Sequence, residues 1–417
     1  MRAMVDYAER LGGSPGRGAY RESREAGELM WRCRERICRL IGGESPAHVV
    51  FALNTSDALN LAIKGVLQRH VHARRRAAVV TTWMDHNSVL RPLNAMVERH
   101  SGSFERVLVR ADPESGLVDP GEIRAALRAH PETKLVAVNH VSNVTGTIQP
   151  IGEIGRVCRE EGVPLLVDAA QSLGHIPVDV GAMSIDLLAF PGHKGLLGPT
   201  GTGGLYLRPG MEALVESVRE GGTGSRSEVD VQPCELPDKY EPGSQNAIGV
   251  IGLSEGVRFL LEFEHAGLRG IEAVAAHERG LVSAFLDGLA SASPGVRLLG
   301  LRRVEGRVGV FTVTVDGLSG HELSAVLESE FGVLTRSGVH CAPLAHRLMA
   351  EGACEGVPST PGIDGPTLGR PEVARSGVVA GGGTRLSVGP FLSSEDVAYA
   401  AGALVDVARE VSDEVMR

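Results

Sequence analysis

The sequence predicts an α/β fold: a large domain on a mostly parallel sheet, followed by a smaller α+β C-terminal domain. Three observations point there. From about residue 49 to 207, short β-rich runs alternate with helix-like stretches, a pattern that builds parallel sheets with helices on both faces. Beyond about residue 247 the pattern changes to longer helices with few strands. The chain also has 417 residues, 43% of them hydrophobic, which is enough for more than one core.

The elements follow in order. Residues 24–41 carry helical apolar spacing at Leu29, Cys33, Ile37 and Leu40, and stop at Gly42-Gly43. Strands are expected at 49–53, 78–82, 107–109, 135–138, 165–167, 187–190 and 204–207. Helices are expected at about 57–69, 87–100, 120–130 and 151–161. Two longer helices follow at about 247–265 and 270–291. The smaller domain then reads as a strand at 308–315, a helix at 320–331, a strand at 385–388 and a final helix at 394–411. The expected division is an N-terminal segment at 1–30, a large ligand-binding domain at 31–260 and the small domain at 261–417. Residues 351–383, rich in Gly and Pro, read as a long loop inserted in the small domain.

Bulk properties remove several function classes. The net charge of −9 argues against nucleic-acid binding, which needs clustered Lys and Arg. The one dense basic run, Arg74-Arg75-Arg76, fits a solvated turn. No apolar stretch is long enough to span a bilayer, and the first residues carry no apolar signal core, so a cytoplasmic protein is expected. Six cysteines in a chain of this size do not make a disulfide framework.

Four strand ends carry candidate chemistry. The apolar run 187–190 leads into Pro191-Gly192-His193-Lys194, so a lysine stands at the end of a buried strand. It reads either as an exposed turn lysine or as an amine that loses its charge by forming an imine. Asp168 ends the strand before it, where open α/β sheets place ligands. It reads either as a helix cap or as a partner for a pyridinium nitrogen, with Gln171 nearby. Asn54-Thr55-Ser56-Asp57 opens a helix after the first strand, which is plain capping or an anion site. His86 follows the next strand and can stack on a ring or move a proton. Each signal is modest; four at successive strand ends form a set.

With that set in place, the chain resembles the class V aminotransferase-fold enzymes of pyridoxal phosphate (PLP), in the cysteine desulfurase and selenocysteine lyase group. The likeness rests on NTSDALNLA, MDHNSVLRPL, NHVSNVTGTI, VDAAQS, FPGHKGLLGPTGTG, EPGSQN, TRSGVHCAPLAH and TRLSVGPF, with GRGAYR near the start. It implies the aspartate aminotransferase-like PLP-dependent transferase architecture, fold type I. It implies that Lys194 holds PLP as a Schiff base and Asp168 pairs with the pyridine nitrogen. His86 would stack on the ring, and Asn143 and Gln171 would contact the ring-hydroxyl side. Thr55, Ser56 and His193 would bind the phosphate. Ser244, where many relatives have Thr, would reach the phosphate of a neighbouring subunit, which requires a homodimer with shared active sites. Arg385 would clamp a substrate carboxylate. Cys341 would accept sulfur from cysteine as a persulfide, with Arg336 or His340 favouring its thiolate, or Arg336 orienting its loop. No metal is expected.

Three departures from the family pattern bear on the substrate. The chain begins after the segment where many relatives carry an Asp-Asn-Ala-Ala-Thr-like run, so a more open site or a short start is expected. Pro191 stands where many have Ser. Pro390-Phe391-Leu392-Ser393 stands where relatives often have Tyr-Asn-Thr or Phe-Asn-Thr. The expected activity is removal of sulfur from L-cysteine, giving alanine, with a possible sulfur-acceptor protein. The alternatives are C–S lyase, selenocysteine lyase or aminotransferase chemistry on the same scaffold, or a non-catalytic sulfur-delivery role.

Overall fold

The computed structural model describes residues 1–417 except 17, 101, 291–294, 352–381, 416 and 417. Most of the Gly/Pro-rich loop expected at 351–383 therefore lies outside the described residues.

Two helices come first, α1 (Arg2–Arg10) and α2 (Arg21–Leu40). The large sheet is then laid down as β1 (Val49–Ala52), β2 (Ala77–Thr82), β3 (Phe104–Val109), β4 (Thr133–Asn139), β5 (Leu165–Asp168), β6 (Leu187–Pro191) and β7 (Gly203–Leu207). Helices α3 (Thr55–His72), α4 (Asn87–Arg99), α5 (Pro120–Ala129) and α6 (Ile151–Glu160) fill the connections. The spatial order is β1-β7-β6-β5-β4-β2-β3. Only β7 runs against the others, because β1 and β6 each pair with it antiparallel and the remaining pairs are parallel. Six carboxyl ends therefore meet along one edge of the sheet.

Strand alternation sorts the core into two layers. Val136 and Val138 of β4 join Leu165 and Val167 of β5 in one hydrophobic layer, while Leu135, Ala137 and Leu166 belong to the other. Helices cover both faces, which is why these strands read as nearly continuous apolar runs.

Beyond the sheet come α7 (Ala247–Glu262), a small hairpin of β8 (Glu264–His265) and β9 (Leu268–Arg269), and α8 (Ile271–Ala290). The small sheet is antiparallel, with β10 (Val296–Leu298), β11 (Val310–Val315), β12 (Arg336–Gly338) and β13 (Gly383–Ser387) in the order β10-β11-β13-β12. It packs with α8, α9 (Gly320–Phe331) and α11 (Ser394–Val415) around a third core, in which Phe285 and Phe311 stack with centroids 3.9 Å apart. A short helix, α10 (Pro343–Glu351), follows β12.

Several elements have no counterpart among the sequence expectations: helix α1, strands β10 and β12, the β8–β9 hairpin and α10. Helix α2 starts at Arg21 rather than 24, and α7 stops at Glu262 rather than running to 265. Strand β12 reads Arg-Ser-Gly and lies at a sheet edge, so it carries no apolar period to detect. Helix caps are more legible. Ser319 and Glu322 form a capping box at α9, which ends on left-handed Gly332 (φ 65°).

Candidate active site

A cavity of about 340 Å³ opens at the shared carboxyl edge of the large sheet. Its wall includes Thr55, Ser56, His86, Asn143, Asp168, Gln171, His193, Lys194, Arg336 and Arg385. The parallel arrangement explains the gathering. β1, β2, β4, β5 and β6 all end at this edge, and each delivers its next residues to the same rim.

At the end of β1, Asn54 Oδ1 accepts from Asp57 N at 3.0 Å, and Asp57 Oδ2 accepts from Leu53 N at 3.0 Å. This reciprocal cap fixes the start of α3. Thr55 and Ser56 are then held at its first turn, where free N–H groups and the helix dipole favour an anion. Ser56 Oγ lies 2.6 Å from Ser88 Oγ, which ties this turn to the start of α4.

His86 is the cap of α4. Its Nδ1 accepts from Ser88 N at 3.0 Å, which leaves the proton of the neutral ring on Nε2. Burial, then the positive charges of Lys194, Arg336, Arg91 and Arg385, push its pKa down to about 4. The ring is therefore uncharged at neutral pH. Next to it in the chain, buried Asp85 accepts from Thr81 Oγ1, Thr82 N and Thr82 Oγ1 at 2.7–2.8 Å and from Asn139 N at 2.7 Å. One carboxylate thus joins the ends of β2 and β4.

Asp168 ends β5, and Lys194 follows the neighbouring strand β6. Asp168 is buried, and its Oδ1 accepts from Ala170 N at 2.9 Å. Burial pushes its pKa up, opposed by that N–H and by Lys194. Burial pushes the Lys194 amine down, against the pull of Asp168, with Arg385 and Arg336 adding to the fall. The lysine-bearing turn has no slack. A Cβ on Gly174 would lie 2.2 Å from the Gly195 carbonyl carbon, so the two backbones pack in direct contact. The neighbouring His193 is also pushed down, by burial and then by Lys194.

The small domain supplies the other wall. Arg385 Nη1 donates to the Asn143 carbonyl at 3.1 Å, while its Nε is buried without a partner among the described residues. Burial, with Arg336 nearby, pushes its pKa down to about 10. Arg336 Nη2 lies 3.5 Å from Cys341 Sγ. Cys341 and the preceding His340 both adopt left-handed backbone (φ 59° and 52°), uncommon for residues with side chains. Their carbonyls are held by the large domain: Asn143 Nδ2 donates to His340 O at 2.7 Å, and Asn87 N donates to Cys341 O at 2.8 Å.

The charged lining residues are three cations, Lys194, Arg336 and Arg385, and one acid, Asp168. Such a wall selects an anionic ligand. The fit to a ring with phosphate and aldehyde groups rests on particular atoms. There is a helix N-terminus with two hydroxyls, an amine pushed toward its neutral form, a buried acid, and the buried Oδ1 of Asn139, unpartnered among the described residues. Ser244 is exposed and stands outside the lining. A second, more apolar hollow of about 320 Å³ shares Gln171, Lys194 and Arg385 with the first, and reaches Leu197, Val308, Val388 and Phe391.

Every expected site residue except Ser244, Cys341 and the adjoining His340 lines the main cavity, and Cys341 touches it through Arg336. Four lining residues, Ser88, Asn139, Val141 and Ala170, carry no role from the sequence, nor does Asp85 behind them. All five fall inside the motif segments, which is the signal that marks them. The link from Asp85 to Asn139 has no local signal, because the two stand 54 residues apart.

The family model described as Aminotransferase class-V matches residues 1–399. A probable cysteine desulfurase of Methanothermobacter thermautotrophicus is 35% identical over 354 residues, covering 84% of this chain and 83% of that one. A probable cysteine desulfurase of Pyrococcus abyssi is 33% identical over 354 residues, with the same coverage. The apo structure of a cysteine desulfurase from Thermococcus onnurineus NA1 superposes with a TM-score of 0.82 at 29% identity, covering 98% of this chain and 91% of that one.

Proposed function

The chain belongs to the aminotransferase class V family, and from that membership and the cavity's chemistry we propose that it is a PLP-dependent cysteine desulfurase. The observation that carries this reading is the 3.5 Å contact between Cys341 Sγ and Arg336, a residue that lines the same cavity as Lys194 and Asp168. A thiol beside an amine-and-acid pair is what sulfur transfer requires, and transamination requires none.

Lys194 would hold the cofactor through its aldehyde. Thr55, Ser56 and His193 would take the phosphate, with exposed Ser244 free to reach the phosphate site of a second copy in a homodimer. Asp168 would face the ring nitrogen, neutral His86 would lie on the ring, and Asn143 and Gln171 would border its hydroxyl side. Bound there, PLP supplies an electron sink for charge released at the substrate α-carbon.

The remaining work falls to the protein's own groups. Arg385 receives the substrate carboxylate, for which its guanidinium fork is suited. Lys194 Nζ, pushed toward the neutral amine by burial, can accept the α-proton and return it. Cys341 Sγ attacks the substrate sulfur. The S–S bond forms as the C–S bond breaks, and the bonding pair stays on carbon, which is protonated to give alanine. Arg336 places a positive charge against the attacking sulfur.

A second reading is favoured by one observation. The apolar hollow next to Lys194 and Arg385 has room for a bulky substituent on sulfur, as in C–S cleavage of a larger thioether. One experiment separates the two. The PLP-loaded enzyme is given L-cysteine or an S-alkyl cysteine, and alanine, pyruvate and the mass of the Cys341 peptide are measured. Alanine together with a persulfide on Cys341 supports desulfuration. Pyruvate and ammonia without a persulfide support the lyase and overturn the first reading.

A further inference from the structure

Two histidines with no part in the chemistry above stand behind Cys341. His340 precedes it in the chain, and His346 lies in α10. Both are buried, at 2% exposure. His340 Nδ1 is 3.0 Å from His346 Nε2, and His340 Nε2 is 2.9 Å from the Arg336 carbonyl. His346 Nδ1 is buried without a partner among the described residues.

These contacts fix the direction of every bond. A carbonyl only accepts, so His340 Nε2 carries a proton and donates to Arg336 O. In a neutral ring Nδ1 is then bare and must accept, so His346 Nε2 carries a proton and donates to it. His346 Nδ1 is left bare. A further proton on His340 would set N–H against N–H, and one on His346 would bury an unpaired N–H. The Arg336 carbonyl favours the protonated form of His340, but the positive charges of Arg385 and Arg336 oppose it, and His340 and Arg385 oppose protonation of His346. Burial comes first, and the pKa values fall to about 4 for His340 and about 3 for His346.

The pair therefore closes a loop. His346 holds the His340 ring, His340 holds the Arg336 backbone, and the Arg336 side chain returns to Cys341 Sγ at 3.5 Å. The same stretch carries two successive left-handed residues, a conformation that persists only where its surroundings fix it. Resting on the sulfur-accepting role of Cys341, we infer that His340 and His346 form a directional imidazole relay that sets Arg336 and Cys341 in one arrangement, and so act as positioning residues for sulfur transfer.

The test uses the PLP-loaded enzyme with His346→Leu, which cannot donate, and His346→Gln, whose amide N–H can replace the donor. Should His346→Leu not fold, His346→Met takes its place. Three quantities are read: the KM for cysteine, the rate of persulfide formation in a single turnover, and the rate of Cys341 alkylation by iodoacetamide. The apolar variant is expected to slow persulfide formation about tenfold or more, as loss of one buried hydrogen bond allows. It is also expected to alter the alkylation rate, with KM and bound PLP unchanged. His346→Gln should restore both rates. An apolar variant with parental rates, or a folded Gln variant as impaired as the apolar one, overturns the inference. If the parent enzyme forms no persulfide, the desulfurase reading fails, while the alkylation rates still judge the relay.

Discussion

Arg336 of β12 and Arg385 of β13 stand directly opposite each other in the antiparallel register, Cα partner to Cα partner. Like charges in that position are destabilising, and burial has already pushed Arg385 down to about 10. An anion between or beside the two guanidinium groups relieves this repulsion. Arg385→Lys keeps the charge but loses the fork, so one of two charge-assisted hydrogen bonds to a carboxylate is lost. At about 1.5–3 kcal/mol for such a bond, kcat/KM for cysteine should fall roughly tenfold to a hundredfold, mostly through KM. Steady-state kinetics checks this, and an unchanged KM would remove Arg385 from substrate binding.

Lys194→Ala should abolish covalent retention of PLP and proton transfer together. General acid–base groups contribute about 10²–10⁴-fold, so turnover should fall by at least about a hundredfold. Borohydride treatment followed by peptide mass analysis should mark Lys194 in the parent and no residue in the variant. A label on another lysine would displace Lys194 from its role.

Asp85 is fully enclosed, and burial pushes its carboxyl from an ordinary 3.8 up to about 6 despite four donors. A folded pKa above the unfolded one means that the folded state holds the proton more tightly. The contribution of this group to stability is therefore full below about pH 4 and is lost as pH rises through about 6, a change of about 3 kcal/mol at most. Asp85→Asn removes this titration and turns an amide N–H toward a donor. It should lower stability at about pH 4–5 and flatten the pH dependence between about 4 and 6, as read from urea midpoints across that range.

Glu241, the first residue of EPGSQN, accepts from Arg34 through both oxygens, at 2.8 and 2.7 Å, and from Phe51 N at 2.6 Å. Both side chains are 5% exposed. Glu241→Ala leaves a buried guanidinium without its acid, which typically costs about 3–5 kcal/mol. Thermal melting should show a large loss of stability. Because Glu241 anchors the loop that carries Ser244, PLP affinity should weaken as well; a stable variant with normal PLP affinity would show that the loop is held by other contacts.

Much of this site was legible before any fold was known. Thr55, His86, Asp168 and Lys194 follow or end apolar runs, and a parallel sheet has one carboxyl edge, so residues after successive strands had to converge. Short apolar runs bounded by turn residues and helical apolar spacing are local signals, and they placed β4, β5, β6 and α9 closely. The sequence alone thus determined that strand ends with hydroxyl, acid, imidazole and amine groups would share a rim. It could not determine which groups answer each other across the chain. The Asn143–His340 bond spans 197 residues, and the Arg34–Glu241 pair spans 207. The Arg336–Arg385 register depends on a three-residue edge strand without apolar period. Such pairings are chosen by chain reversal and close packing, because hydrogen bonds and charge contacts act over a few ångströms of space whatever the distance along the backbone.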